Sequence, residues 1–492
     1  MQGWLKNRQD RFRLALIAGC LVVAAGVWLS SGTLAPYAST LARPRIDKPC
    51  NYLLNTDHVH FEACYLMLDG APREQWDFTI YQRRMFYPVL AYPLMKTMGF
   101  VPGGVLASAI LQVAAFAIFV VYVRRHVGDV AAYAAIVLVA CYPGIYYWAG
   151  LPYNHVMIAP ASLLGVLLVW EIEKTASMRR VAACALVLGV LFLGYDLLPL
   201  FAPPVIFILL LRRRFAHAAV AAVLLVLPSL IVNPLVTWKF NLPFRNPNTD
   251  VYLNMFQAYL NPRSLSAWAQ LVSQAPGALV RTYFFSNFWF LPALFLIVVF
   301  VNRLATKVRM LGAEKWLLAT TLALFLFINL APPTPGWQMR GSGLARIYQP
   351  AFAAMILFLA RWAQSAWTAR SEARRWVAGA TAIVTLANAV VIFGPVMHIP
   401  LADHVYLSFY NHGPANALSK NLDTFGRRPL GFCDTSITIE NPLTKKELRD
   451  LRERNKRRAL KKQLGTTTTA PTTSATTVPA SRATTRPFSP AS

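Results

Sequence analysis

Asp57, His58, His60 and Glu62 set two carboxylates and two imidazoles within six residues, and the paired guanidiniums of Arg83 and Arg84 follow, just ahead of Tyr87. Asp69, Glu74 and Asp77 lie between the two groups. Arginine holds phosphate through two parallel hydrogen bonds. A carboxylate within hydrogen-bond reach of a hydroxyl can take its proton. One chemistry uses both at a membrane surface: transfer of a sugar from a lipid-phosphate donor to an acceptor hydroxyl, with neighbouring apolar segments holding the lipid tail. The plainer alternative is that these charges only keep a water-facing loop soluble. The His58-x-His60 spacing would suit a metal on a strand, but two imidazoles are a thin ligand set. No metal ligands are assigned, and a divalent metal stays open as a cofactor.

Asp196 stands alone among apolar residues in Gly-Tyr-Asp-Leu-Leu-Pro at 194–199. An ionisable group in such a setting is a candidate for function. It could equally sit in interfacial water or cap the helix that follows. Arg340 and Arg346 are the only charges in the short stretch 332–347. They either bind an anion such as phosphate or pair with Asp196 or a loop carboxylate.

The elements that must position these residues are apolar helices. Of the 492 residues 56% are hydrophobic and only 14% charged, and the mean hydropathy is +0.42. A soluble chain carries roughly a quarter charged residues. The apolar runs 14–31, 101–123, 130–148, 154–171, 181–195, 197–211, 217–236, 283–302, 316–331, 348–363 and 376–397 predict eleven membrane spans. Each approaches the roughly 20 residues that cross a hydrocarbon core as a helix, the form in which backbone polar groups satisfy one another. The pair 181–195 and 197–211 is short, and Pro199, Pro203 and Pro204 suit a tight turn or broken helix between them. The alternative there is one long kinked helix. The fold class is therefore all-α and polytopic.

The net charge of +27 is distributed as a topology signal rather than as a nucleic-acid footprint. Lys6, Arg8, Arg11 and Arg13 precede the first run, and further clusters fall at Arg124–Arg125, Lys174 with Arg179–Arg180, and Arg212–Arg214. Arg303, Lys307, Arg309 and Lys315, then Arg370 and Arg374–Arg375, complete the series. The short loops between, near 148–154 and at 196, carry no Lys or Arg. The alternation predicts a cytoplasmic N-terminus, and the first run reads as a retained span rather than a cleaved signal peptide.

In this topology 32–100 and 237–282 are large external loops within a transmembrane domain over 1–400, and 401–443 is a further external segment. The apolar stretch 85–98 is too short to span and predicts an interfacial helix. Residues 444–463 form a basic helical stretch, and the Thr/Pro-rich tail 464–492 is predicted to be disordered. Cys50, Cys64 and Cys433 fall on the external side, where a disulfide survives; Cys50 with Cys64 is the favoured pair.

Four patches carry a family resemblance. Asp57 to Phe61 is an Asp-x-x-x-aromatic element after the first span, with His58 where the family usually has Gly and Phe61 where it usually has Tyr. Arg83-Arg84-x-x-Tyr87-Pro88 follows. Asp196 ends a Gly-containing span before leucines, prolines, a second span and Arg212–Arg214, and Arg346-Ile-Tyr-Gln-Pro350 precedes a later span. The layout over residues 10–400 resembles bacterial polytopic glycosyltransferases of the GT-C class. The resemblance implies sugar transfer from a polyprenyl-phosphate donor on the external face of the bacterial inner membrane, with Asp57 as base. Asp196 would orient the site, and Arg83 or Arg84 with Arg346 would hold the donor phosphate. His58, His60, Glu62, Tyr87 and Arg340 complete the substrate-binding candidates. Some members use a divalent metal and others do not. The competing readings are a transporter or flippase built around Asp196 between two short segments, and a non-catalytic scaffold acting through 444–463. The expected partners are a lipid-linked sugar donor and membrane lipid, not nucleic acid.

Overall fold

The computed structural model describes residues 8–31, 64–73, 76, 85–142, 145, 154–195, 198–242, 290–304, 308–330, 349–368, 382 and 386. The chain divides into two compact units, Met1–Ile439 and Glu440–Ser492, and every described residue belongs to the first. The stretches 401–443, 444–463 and 464–492, and most of the run 376–397, lie outside the described residues.

Regular structure among the described residues is helical, with no strand. The helices are α1 (Arg8–Ser31), α2 (Phe86–Met98), α3 (Phe100–His126), α4 (Asp129–Ala140), α5 (Ile158–Lys174), α6 (Met178–Phe192), α7 (Ala202–Leu211), α8 (Phe215–Lys239), α9 (Phe290–Leu304), α10 (Gly312–Leu330) and α11 (Gln349–Thr368). Short 3-10 turns, Asn154–Met157 and Leu198–Phe201, lead into α5 and α7. Among the described residues three segments are long and apolar enough to cross a membrane: Gln9–Trp28, Pro102–His126 and Phe215–Lys239. Helix α2 occupies the short apolar stretch 85–98. Helix α4 stops at Ala140, well short of the predicted 148. Pro143 explains the early stop, because proline disfavours helical backbone in the residue before it.

Cross-helix contacts fix the direction of each element. Arg124, near the end of α3, bonds Asp129 at the start of α4 at 2.8 Å, and its guanidinium lies over Phe12 near the start of α1. Tyr122 donates to Glu171 at 2.5 Å, tying the end of α3 to the end of α5. After α7, Arg212 reaches Glu173 and Arg214 reaches the Thr175 carbonyl, while His217 in α8 meets the Ala176 carbonyl at 3.1 Å. The chain therefore reverses between α6 and α7, and a single long kinked helix is ruled out. Gln364, near the end of α11, accepts from the Val130 and Ala131 N–H groups at the start of α4. Asn302 closes the turn from α9 to α10 through paired bonds with Val308.

The result is an alternating bundle in which α1, α4, α6, α8 and α10 start at one end while α3, α5, α7, α9 and α11 finish there. Arg124, Lys174, Arg212, Arg214 and Arg361 gather at this basic end. Phe116, Phe119, Phe201, Phe352 and Phe358 fill the core. The outer faces are apolar too: Leu21, Leu230, Phe300 and Trp238 are exposed, the last at 83%. Exposed apolar surface of this extent marks a face that meets something other than water.

Helices α6 and α8 pack with almost no room between them. A Cβ on Gly189 would stand 2.6 Å from the Leu224 carbonyl oxygen, so only glycine allows the backbones this close. Gly189→Leu is expected to force the pair apart and cost about 1–3 kcal/mol. A lowered thermal midpoint of the detergent-solubilised protein checks this.

Candidate functional site

Of the residues singled out by sequence, Asp57, His58, His60, Glu62, Arg83, Arg84, Asp196, Arg340 and Arg346 lie outside the described residues. So does Cys50, one half of the expected disulfide. Tyr87 is described. Its side chain is fully buried, and its hydroxyl donates to the Gly104 carbonyl at 2.6 Å. It holds α2 against α3, where a Cβ on Gly103 would come within 2.3 Å of the Leu94 carbonyl oxygen. Tyr87→Phe is expected to lower stability by about 1 kcal/mol, the worth of one buried hydrogen bond. Comparing thermal midpoints tests it.

The described residues nearest these positions in sequence share one end of the bundle, opposite the basic end. Met85, which follows Arg84, packs with Cys64, Met67, Trp76 and with Leu242 beyond the end of α8. Tyr195, which precedes Asp196, is buried just past the end of α6. Gln349, three residues after Arg346, opens α11 and accepts a 2.8 Å hydrogen bond from Tyr142.

A held carboxylate lies at this same end. Asp69 pairs with Lys96 of α2 and accepts from Tyr92 at 2.9 Å. The Lys96 hydrogen bond, and then the Tyr92 hydroxyl, keep the Asp69 carboxyl below its ordinary range. The Tyr65 ring packs on Tyr92 and Phe100. Together they staple 64–73 to α2. An anion so well satisfied is a poor proton acceptor, which separates Asp69 from carboxylates able to act as a base.

At the basic end, Arg212 and Arg214, read from sequence as topology charges, join helices, and two carboxylates are held there as well. Glu173 accepts from Gly312 N–H at 3.0 Å and Ala313 N–H at 2.9 Å, and also from Arg212 at 3.1 Å. It thereby satisfies free donors at the start of α10 with a negative charge, as a helix N-terminus favours. Arg212 and Arg214 are committed to these contacts. Glu314 is fully buried and receives Arg361 on both oxygens, at 2.8 and 2.7 Å, and the Leu311 N–H at 2.7 Å.

Buried neutral polar groups form the feature that the sequence reading missed. Gln112 donates to the Val156 carbonyl at 2.9 Å. That carbonyl is the one Pro160, lacking an N–H, cannot serve in the helical ladder. Gln112, Ser162 and Gln349 are each 1% exposed. Their signal in the sequence is an amide or hydroxyl inside, or at the start of, a long apolar run.

Among the described residues no group of three or more His, Cys, Asp or Glu could hold a metal ion. Compared with protein-family models, curated proteins and solved structures, the chain matches none.

Proposed function

We propose that the chain is a multi-pass glycosyltransferase of GT-C-like architecture in a bacterial inner membrane. It moves a sugar from a polyprenyl-phosphate donor to an acceptor at the external face, with eleven spans and a cytoplasmic N-terminus. The basic end of the bundle then faces the cytoplasm, in keeping with the positive-inside rule. The observation that carries the reading is that Met85, Tyr195 and Gln349 all lie away from the basic end. These are the described neighbours of Arg84, Asp196 and Arg346. In this reading Asp57 accepts the proton of the attacking hydroxyl, and Arg83 or Arg84 with Arg346 hold the donor phosphate. Asp196 positions the site at the reversal between α6 and α7.

The test is donor turnover by the purified chain in lipid, offered polyprenyl-phosphate hexoses and pentoses. Release of polyprenyl phosphate supports a transferase. Translocation of an intact lipid-linked substrate without turnover supports the second reading, a flippase. The placing of Asp196 between the short helices α6 and α7 favours that alternative.

A further inference from the structure

Helices α3, α4, α11 and α5 pack on one another in a closed cycle: α3 on α4, α4 on α11, α11 on α5 and α5 on α3. Hydrogen bonds set their registers. Tyr122 on α3 is level with Glu171 on α5, and the two helices run in the same direction. Ten residues back along both places Gln112 beside position 161, next to Ser162. Arg124 on α3 meets Asp129 on α4, and these two run oppositely. Twelve residues from that contact place Gln112 beside position 141, next to Tyr142. Tyr142 in turn bonds Gln349 on α11. At a rise of about 1.5 Å per residue, and with the Gln112 amide on the Val156 carbonyl six residues before Ser162, the four residues Gln112, Tyr142, Ser162 and Gln349 lie within about two helical turns of one another.

All four are buried, at 3% exposure or less. Three of them carry a polar atom with no hydrogen-bond partner: Gln112 Oε1, Ser162 Oγ and Gln349 Nε2. Turning the Gln349 amide end for end leaves its oxygen unpaired instead, so the number of unpaired atoms is unchanged. Three unpaired polar atoms this close together in a bundle interior are each costly, and each calls for a partner. The set offers an acceptor, a donor and a hydroxyl able to do both, and none of them is charged. Phosphate calls for cations; neutral hydroxyls call for this mixture.

We infer that Gln112, Ser162 and Gln349 form a neutral hydrogen-bonding layer that receives the hydroxyls of the donor's sugar, separate from the residues that hold its phosphate. The inference rests on the transferase reading, which supplies the sugar. Ser162→Ala removes only an unpaired hydroxyl. Tyr142→Phe with Gln349→Leu removes the facing pair together.

Binding to the full chain in nanodiscs is measured with a panel of polyprenyl-phosphate hexoses and pentoses, and with bare polyprenyl phosphate. The wild type is expected to prefer at least one sugar lipid over the bare lipid. Each variant reduces that preference about tenfold, because a site built for hydroxyls discriminates through them. Affinity for the bare lipid stays the same, and the thermal midpoint of Ser162→Ala is unchanged or raised. An unaltered preference in both variants overturns the sugar layer while leaving the donor reading in place. No binding of any lipid overturns both.

Discussion

At pH 8, where Glu314 is ionised, Arg361→Met is expected to destabilise the chain by about 3–5 kcal/mol, the cost of leaving a buried carboxylate without its counter-charge. Glu314 is fully buried, and the Arg361 side chain is 16% exposed. The carboxylate has three hydrogen bonds, two from Arg361 and one from the Leu311 N–H, and loses two of them in the variant. Arg361 also donates to the Arg309 carbonyl at 3.1 Å, so one side chain ties the turn before α10 to α11. Replacing both partners, as Glu314→Leu with Arg361→Met, is expected to recover most of the loss, since an apolar pair has no charge to desolvate. A double variant as unstable as the single one would show that packing of the Arg361 stem, rather than its charge, sets the effect. Thermal midpoints of the solubilised protein decide between them.

The same pair makes stability depend on pH in a definite direction. Glu314 lies just before the apolar run 316–331. Burial pushes its carboxyl up to about 7, against the opposing pull of Arg361 and of the Leu311 N–H. The folded group therefore holds its proton more tightly than the unfolded one, whose ordinary value is 4.5. Its contribution is fully present below about pH 4.5 and is lost as pH rises through about 7, an amount on the order of 3 kcal/mol. Glu314→Gln, which has no proton to lose, flattens the stability profile across that window. A wild-type profile already flat between pH 4.5 and 7 would rule this out.

Much of the bundle was legible because long apolar helices announce themselves by length and apolarity. Ten of the eleven apolar runs coincide with helices. The break between α6 and α7 could be foreseen from Pro199, Pro203 and Pro204, and the shortness of 85–98 set α2 apart. What escaped was the pairing of helix ends. Arg212 and Arg214 read as topology charges, yet their partners Glu173 and Thr175 lie 39 residues away in sequence. Gln364 caps α4 across more than 230 residues. Composition carries no trace of such contacts. Gln112 and Gln349 escaped for a related reason: a lone amide in an apolar run is commonplace until its burial is known. Of the candidate site, the sequence reading supplies a chemistry to test, whereas the structure places the neighbours Met85, Tyr195 and Gln349 away from the basic end. Tyr87, read as a substrate contact, lies with its hydroxyl on the Gly104 carbonyl.

If the transferase proposal is right, Asp57→Ala and Asp57→Asn each lower turnover by about 10²–10⁴-fold, the usual worth of a general base. Asp57→Asn is the sharper variant, because it keeps the size and a hydrogen-bonding oxygen while losing basicity. A base acts on the chemical step, so kcat falls and donor binding does not. Arg83→Ala and Arg84→Ala are expected to behave in the opposite way, raising KM for the donor through loss of a phosphate contact. Asp69→Ala is the internal control. It removes a carboxylate of the same predicted loop, but one already occupied by Lys96 and Tyr92. It is expected to change turnover by no more than a few-fold while loosening 64–73 from α2. The acid limb of the kcat–pH profile adds a readout that misfolding cannot imitate, since loss of the base abolishes the limb and loss of Asp69 leaves it in place. Equal defects in Asp57→Asn and Asp69→Ala would mean that the loop needs its carboxylates for structure, and Asp57 would no longer stand as the base.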